Sequence, residues 1–188
     1  FQPIVSAHDG HVVAYEALMR PQLPTLRSPL TVMQLASEMG RLYDIEKLTF
    51  FRACECYEEL EAAGKLDADA LIFVNSIASV SLSDEDWASY CEAHSAILPK
   101  LVVEITEEEE MNERELERKR NVPGSSGVFA LDDYGSGYSN ELNLLELSPR
   151  YIKIDISIVR GIDTDRDKQQ IVSLSLIHIS EPTRPRLI

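Results

Sequence analysis

A chain of 188 residues, 44% of them hydrophobic, is long enough for one domain with a sizeable core. Its formal net charge of −14 excludes nucleic-acid binding through a general basic face. No apolar run approaches the length of a membrane span, and no signal peptide is visible.

The sequence opens on the strand-like run Phe1-Gln2-Pro3-Ile4-Val5 with no initiator Met, as expected of a segment from a longer polypeptide. Residues 4–6 and 12–18 read as extended segments around the turn His8-Asp9-Gly10. Residues 20–29 form a proline-rich loop. Thr31 is expected to cap a helix carrying Met33, Leu35, Ala36 and Met39, with Gly40 as its stop. Asp44 is expected to cap a longer helix with Ile45, Leu48, Phe51, Ala53 and Leu60 near helical period. Cys54 and Cys56 in that helix do not share a face. With Cys91 they lack zinc-ligand spacing, so reduced thiols are expected.

Leu71-Ile72-Phe73-Val74-Asn75 reads as a buried strand. Ser83 before Asp84-Glu85-Asp86 predicts a helix N-terminus running to about Ala96. Leu101-Val102-Val103-Glu104-Ile105 is the next strand, and Glu107-Glu108-Glu109-Glu110 reads as solvated acidic surface. A helix over 112–120, a loop over 123–127 and a strand over 128–132 follow. A short helix over 140–147, a strand over 151–155 and a helix starting near Asp165 complete the pattern. Strands that are continuous apolar runs alternating with helices argue for a parallel sheet or barrel covered by helices.

Polar residues fall late in these strands: Glu16, Asn75, Glu104, Asp132 and Asp133, then Lys153 and Asp155. In a TIM barrel the C-terminal strand ends form the active-site face. The densest cluster is Asp132-Asp133, which ends an apolar run and precedes a glycine-spaced turn. Adjacent side chains on a strand point to opposite faces, but a turn can let both reach one site. Two close carboxylates repel unless a cation lies between them, so the pair proposes a divalent metal site. Two solvated turn aspartates are the alternative.

Tyr15-Glu16-Ala17-Leu18-Met19-Arg20 resembles the signature of the EAL domain family. The resemblance continues through Phe1-Gln2-Pro3-Ile4-Val5, Phe73-Val74-Asn75, Val103-Glu104-Ile105-Thr106-Glu107, Leu131-Asp132-Asp133-Tyr134-Gly135-Ser136-Gly137-Tyr138-Ser139 and Ile152-Lys153-Ile154-Asp155, in family order. It implies an α/β fold: a TIM-like (β/α)8 barrel whose first strand runs antiparallel to the others. It implies metal-dependent hydrolysis of cyclic di-GMP to linear pGpG in bacterial second-messenger signalling. Glu16, Asn75, Glu104 and Asp132 look like ligands of one Mg²⁺ or Mn²⁺. Asp133 looks like a ligand of a second ion, or of the water shared between the two. Lys153 looks like the cation that orients that water and the phosphate, and Asp155 like a nearby metal-site acid. Gln2 and Arg20 look like substrate contacts. Tyr134, Gly135, Ser136, Gly137, Tyr138 and Ser139 match the loop that couples metal binding to dimerisation, so a homodimer is implied. Cytoplasmic location is implied too, with no membrane contact within this segment. The alternative is a degenerate EAL domain that binds cyclic di-GMP without cutting it.

The match is expected to cover residues 1–172. After Val172 the run Ser173-Leu174-Ser175-Leu176-Ile177-His178-Ile179-Ser180 alternates, and Pro182 and Pro185 exclude helix beyond it. Leu174 to Arg184 resembles a translated sequencing adapter, so 173–188 is read as a non-native tail. The barrel is then expected to be incomplete at the C-terminus, lacking its last two strands, with the literal chain poorly stable and weakly active.

Overall fold

The computed structural model describes residues 1–67, 69–106, 113–135, 147–179 and 186–187. The hairpin β1 (Gln2–Val5) and β2 (Val12–Ala17) comes first. It is followed by α1 (Pro29–Glu38), α2 (Leu42–Ala62), β3 (Leu71–Asn75) and α3 (Asp84–Ala93). A 3₁₀ turn (Leu98–Lys100) leads into β4 (Leu101–Thr106), α4 (Glu113–Arg120), β5 (Val128–Tyr134) and β6 (Tyr151–Ile154). The chain ends in α5 (Ile156–Val159), α6 (Arg166–Ile179) and β7 (Arg186–Leu187).

The strands lie in sequence order in one sheet. Gly10, at φ +76°, closes the first turn, and its N–H donates to the Ser6 carbonyl at 2.8 Å. β1 therefore pairs antiparallel with β2, and β2 to β7 pair parallel throughout.

Alternation along the strands sorts the sheet into two faces. Tyr15, Ile72, Val74, Val103, Ile105, Phe129, Leu131 and Ile152 pack with Phe50 and Tyr57 of α2, Trp87 and Tyr90 of α3 and Leu116 of α4. The other face holds a smaller layer of Ala14, Phe73, Val102, Ala130 and Tyr151. Strands three positions apart in a flat sheet would be separated by about 14 Å. The Phe73 ring on β3 and the Tyr151 ring on β6 nevertheless meet edge to face at 5.3 Å. The sheet is curled into a partial barrel with this layer inside.

Ser83 caps α3 as expected, its hydroxyl accepting from Asp86 N at 3.1 Å. Ser83→Ala should lower stability by about 1 kcal/mol, read as a fall of about 2–4 °C in the midpoint of thermal unfolding.

Several expectations need correction. α1 starts at Pro29 rather than after Thr31, because proline's fixed φ suits the first helical position. Asp44 is not a cap: Arg41 precedes α2, and Asp44 sits inside the first turn, paired with the Arg41 guanidinium. α6 does not stop near Val172 but runs to Ile179. An alternating run contains no helix breaker, and each added residue gains one hydrogen bond once a helix is nucleated. Beyond it, Arg186 and Leu187 add a two-residue strand beside Tyr151 and Ile152, at the edge of the curled six-strand half-barrel formed by β1 to β6. The acidic run Glu107 to Glu110 and the helix expected over 140–147, Leu147 excepted, lie outside the described residues. No helix among the described residues is long and apolar enough to cross a membrane.

Candidate active site

The inner layer of the sheet changes character one step toward the strand ends. Two residues beyond Ala14, Phe73, Val102, Ala130 and Tyr151 stand Glu16, Asn75, Glu104, Asp132 and Lys153. A period of two keeps each on the concave face. An apolar floor thus carries a polar layer with one residue from each of β2 to β6.

Curvature brings that layer together. β2 and β6 would be about 19 Å apart in a flat sheet, yet Lys153 Nζ lies 3.1 Å from Glu16 Oε1. It is also 2.7 Å from Glu104 Oε1 and 2.9 Å from Asp132 Oδ2. Oxygens of Glu16, Glu104 and Asp132 all lie within 4.8 Å of one another. Asn75 ends β3 directly across from Glu104 in the register, and Gln2 of β1 stands across from Glu16.

Three carboxylates around one ammonium leave excess negative charge in a place that water scarcely reaches. Glu104 is 1% exposed, and neither of its oxygens accepts a hydrogen bond. The Lys153 contact to it has the distance of an ion pair but not the angle of a hydrogen bond; the bond to Asp132 has both. Burial pushes the Glu104 carboxyl up to about 8, with Lys153 pulling against it and Glu16 adding to it. Burial opposes the Lys153 charge, but Glu104 and Asp132 more than offset that, and its pKa rises. A buried carboxylate without donors is costly unless something else satisfies it. Hard oxygen donors this close suit Mg²⁺, Mn²⁺ or Ca²⁺, so the residues fit a divalent cation.

Asp133 reaches the same side by a different device. Leu131 pairs with Ile152 and Tyr134 with Ile154, so β5 holds one residue more than β6 over that interval. This β-bulge places Asp133 at φ +55°, a left-handed conformation that Asp tolerates better than most residues. Its N–H donates to Asp132 Oδ1 at 2.9 Å. Asp132, Asp133, Lys153 and Asp155 line a cleft of about 240 Å³ together with Ile4, Ile154 and Ile156. The sequence alone left open whether adjacent aspartates share a site, and the bulge brings both to one cleft.

Two expected residues stand apart from the carboxylate cluster. Asp155 lines the cleft but caps α5, accepting from Ser157 N at 2.8 Å. The Ser157 side chain, and after it the Ser157 N–H, hold its carboxyl below the usual carboxylate range. Arg20 is exposed, donates to the Met19 carbonyl at 2.9 Å, and lines a different, mostly apolar cavity of about 690 Å³ beside Phe1, Ile45 and Arg52. Tyr134 and Gly135 of the expected loop are described, whereas Ser136, Gly137, Tyr138 and Ser139 lie outside the described residues. Gly135, at φ +93°, passes so close to α5 that a Cβ there would meet Ile158 Cγ1 at 3.0 Å.

Cys54, Cys56 and Cys91 form no disulfide. Burial pushes the Cys54 thiol up to about 12, which removes it as a nucleophile. Sequence reasoning missed a buried polar cluster behind Asn75, formed by Glu46, Ser76 and Lys119. Its signal was a charge at Glu46 in register with the buried face Phe50, Ala53, Cys54 and Tyr57 of α2.

The comparisons agree with this architecture. The chain is 28% identical over 183 residues to the probable cyclic di-GMP phosphodiesterase PdeG of Escherichia coli K12. That match spans 94% of this chain but 36% of the relative, so the chain covers about a third of its length. The solved structure of the PaMucR phosphodiesterase in complex with c-di-GMP superposes with a TM-score of 0.73 at 28% identity, covering 92% of this chain and 72% of that one. A manganese and cyclic di-GMP complex of Klebsiella pneumoniae BlrP1 shares the fold, with a TM-score of 0.75 at 22% identity over 98% of this chain and 47% of that one. The sequence profile of the EAL domain matches residues 1–186. With an antiparallel first strand, a curled parallel sheet and the Glu16-Ala17-Leu18 signature at the mouth of its concave face, this chain belongs to the EAL domain family.

Proposed function

We propose that this chain carries the catalytic site of a metal-dependent cyclic di-GMP phosphodiesterase that forms linear pGpG. The observation that carries the reading is the gathering of Glu16, Glu104 and Asp132 around Lys153, with both Glu104 oxygens buried and accepting no hydrogen bond. Relatives named as cyclic di-GMP phosphodiesterases support it. Every residue assigned a role lies within 1–172, which we take as the functional segment, with 173–188 a non-native tail. The homodimer and the cytoplasmic setting belong to the same reading.

Glu16, Asn75, Glu104 and Asp132 would hold one Mg²⁺ or Mn²⁺, and Asp133 would hold a second ion or the water between the two. Bound there, two such ions lower the pKa of a water and neutralise charge growing on the leaving 3′ oxygen. Lys153 carries only donors, so it can orient the attacking water and the phosphate without competing as an acceptor. Its ammonium is already fixed by Asp132, so little ordering remains for the reaction. Gln2, across from Glu16, offers both a donor and an acceptor to substrate, and Arg20 offers a planar fork suited to phosphate. Asp155 keeps α5 in place at the edge of the cleft.

The test follows cyclic di-GMP by chromatography in the domain completed with the family's remaining strands, with Mg²⁺, with Mn²⁺ and with chelator. Turnover should require a divalent ion, and Glu16→Ala should lower it by about 100-fold or more. Unchanged turnover in that variant sinks the assigned site. Tight binding without turnover by the unmodified domain would instead make the chain a cyclic di-GMP sensor.

A further inference from the structure

Behind the concave face, on the helix side of β3, a second polar cluster is closed off from water. Glu46 of α2 is 1% exposed, and the Lys119 side chain of α4 is 0% exposed. Buried charges of this kind are rare unless paired, and their presence asks what they hold.

They hold two consecutive residues. Ser76 Oγ donates to Glu46 Oε1 at 2.6 Å, and Ile77 N donates to Glu46 Oε2 at 2.9 Å. Lys119 Nζ donates to Ser76 Oγ at 2.5 Å, to the Ile77 carbonyl at 2.9 Å and to Glu46 Oε1. The three N–H groups of the ammonium thus have three acceptors, and both oxygens of the carboxylate have donors. The clamped residues follow Asn75 directly. Ser76 also reaches forward: its N–H donates to the Glu104 carbonyl at 2.9 Å. One residue therefore joins the buried ion pair to the backbone of two members of the polar layer, Asn75 by peptide bond and Glu104 by hydrogen bond.

We propose that Glu46 and Lys119 are positioning residues for the metal site, acting through Ser76 to fix the spacing of Asn75 and Glu104. A floppy turn after Asn75 would let the amide drift, and outer partners of this kind set how well inner ligands meet a cation. The inference rests on the reading of Asn75 and Glu104 as metal ligands.

The test measures Mn²⁺ binding to the 188-residue chain by the electron paramagnetic resonance of free Mn²⁺, alongside thermal unfolding. Lys119→Met should raise the Kd by about 10–100-fold. Ser76→Ala keeps the ion pair and removes only the linking hydroxyl, and should raise the Kd by about 3-fold or more. Leu116→Ala, a buried packing change on the same helix, should lower the unfolding temperature with the Kd unchanged. If Lys119→Met does not fold, Ser76→Ala decides. An unmodified Kd in Ser76→Ala and Lys119→Met overturns the proposal, as does a Leu116→Ala Kd raised as far as theirs. No Mn²⁺ binding by the unmodified chain overturns the metal-site reading and this inference together, which separates that failure from the others.

Discussion

Glu104→Gln is expected to make the metal-free chain more stable and to abolish its response to divalent cations. Glu104 is buried, none of its oxygens accepts a hydrogen bond, and Glu16 and Asp132 stand beside it. Above about pH 8, where the Glu104 carboxyl is ionised, an amide of the same shape removes one of three crowded charges and can donate to its neighbours. Relief of like-charge repulsion and desolvation outweighs the lost Lys153 contact, because Lys153 keeps Glu16 at 3.1 Å and Asp132 at 2.9 Å. The expected gain is about 1 kcal/mol, or a rise of about 2–4 °C in unfolding temperature without metal. With Mn²⁺ the order reverses. An ion at 100 times its Kd stabilises the folded state by about 2.7 kcal/mol, and only the unmodified chain should gain it. Thermal unfolding with chelator and with Mn²⁺ measures both effects. A lower unfolding temperature for the variant in chelator, or equal Mn²⁺ gains for both proteins, counts against this account of Glu104.

Lys153→Met should do the opposite. The ammonium is the cation common to Glu16, Glu104 and Asp132 among the described contacts. Without it, three carboxylates face one another with side-chain exposures of 15%, 0% and 16%. Removing one partner from a mostly buried charge cluster costs about 3 kcal/mol, a fall of about 6–12 °C at this chain length. Divalent cations should restore much of the loss, because they supply the missing positive charge. The variant is therefore expected to depend more steeply on Mn²⁺ for stability than the unmodified chain, while cyclic di-GMP turnover in the completed domain stays at least about 100-fold down. A variant as stable as the unmodified chain in chelator would show that the carboxylates tolerate one another without Lys153.

The different signs separate two roles that a single activity assay would merge. On the proposed reading Glu104 would hold a cation at a cost to the metal-free fold, while Lys153 sustains that fold and would also touch substrate. Residues kept for function at a cost in stability are expected at such sites.

Much of this arrangement was legible in the residues. The parallel strands announce themselves because both faces are buried, so Ile72-Phe73-Val74 and Leu101-Val102-Val103 read as unbroken apolar runs. The polar layer was legible for the same reason: Glu16, Asn75, Glu104 and Lys153 interrupt runs where the sequence otherwise admits only apolar residues. Ser83 announced α3 because an N-cap is a local interaction, decided within four residues. What the sequence hid depends on partners far along the chain. The bulge at Asp132 and Asp133 is defined only against β6. The burial of Lys119 requires Glu46, 73 residues away, so its setting in the basic-looking stretch Arg118-Lys119-Arg120 suggests a solvated face. The position of Arg20 off the cluster reflects a loop with no periodic pattern to read. The extension of α6 reflects propagation from a nucleus near Asp165, whose carboxylate accepts from Asp167 N and Lys168 N at 3.0 and 3.2 Å.

The extra residue in β5 also reverses parity for everything after it. In an unbroken strand, Tyr134 would follow Asp132 onto the concave face. Instead its ring packs against the helix-side core, and its carbonyl accepts from Asp155 N at 3.0 Å. The same backbone step that turns Asp133 toward the cleft therefore seats Tyr134 in the opposite layer and starts the glycine-rich segment from there. Asp133 and Tyr134 are thus adjacent in the chain but stand in opposite layers of the sheet. Deleting Asp133 would restore the even count, leave Tyr134 in the helix layer two positions past Leu131, and take one acid out of the cleft.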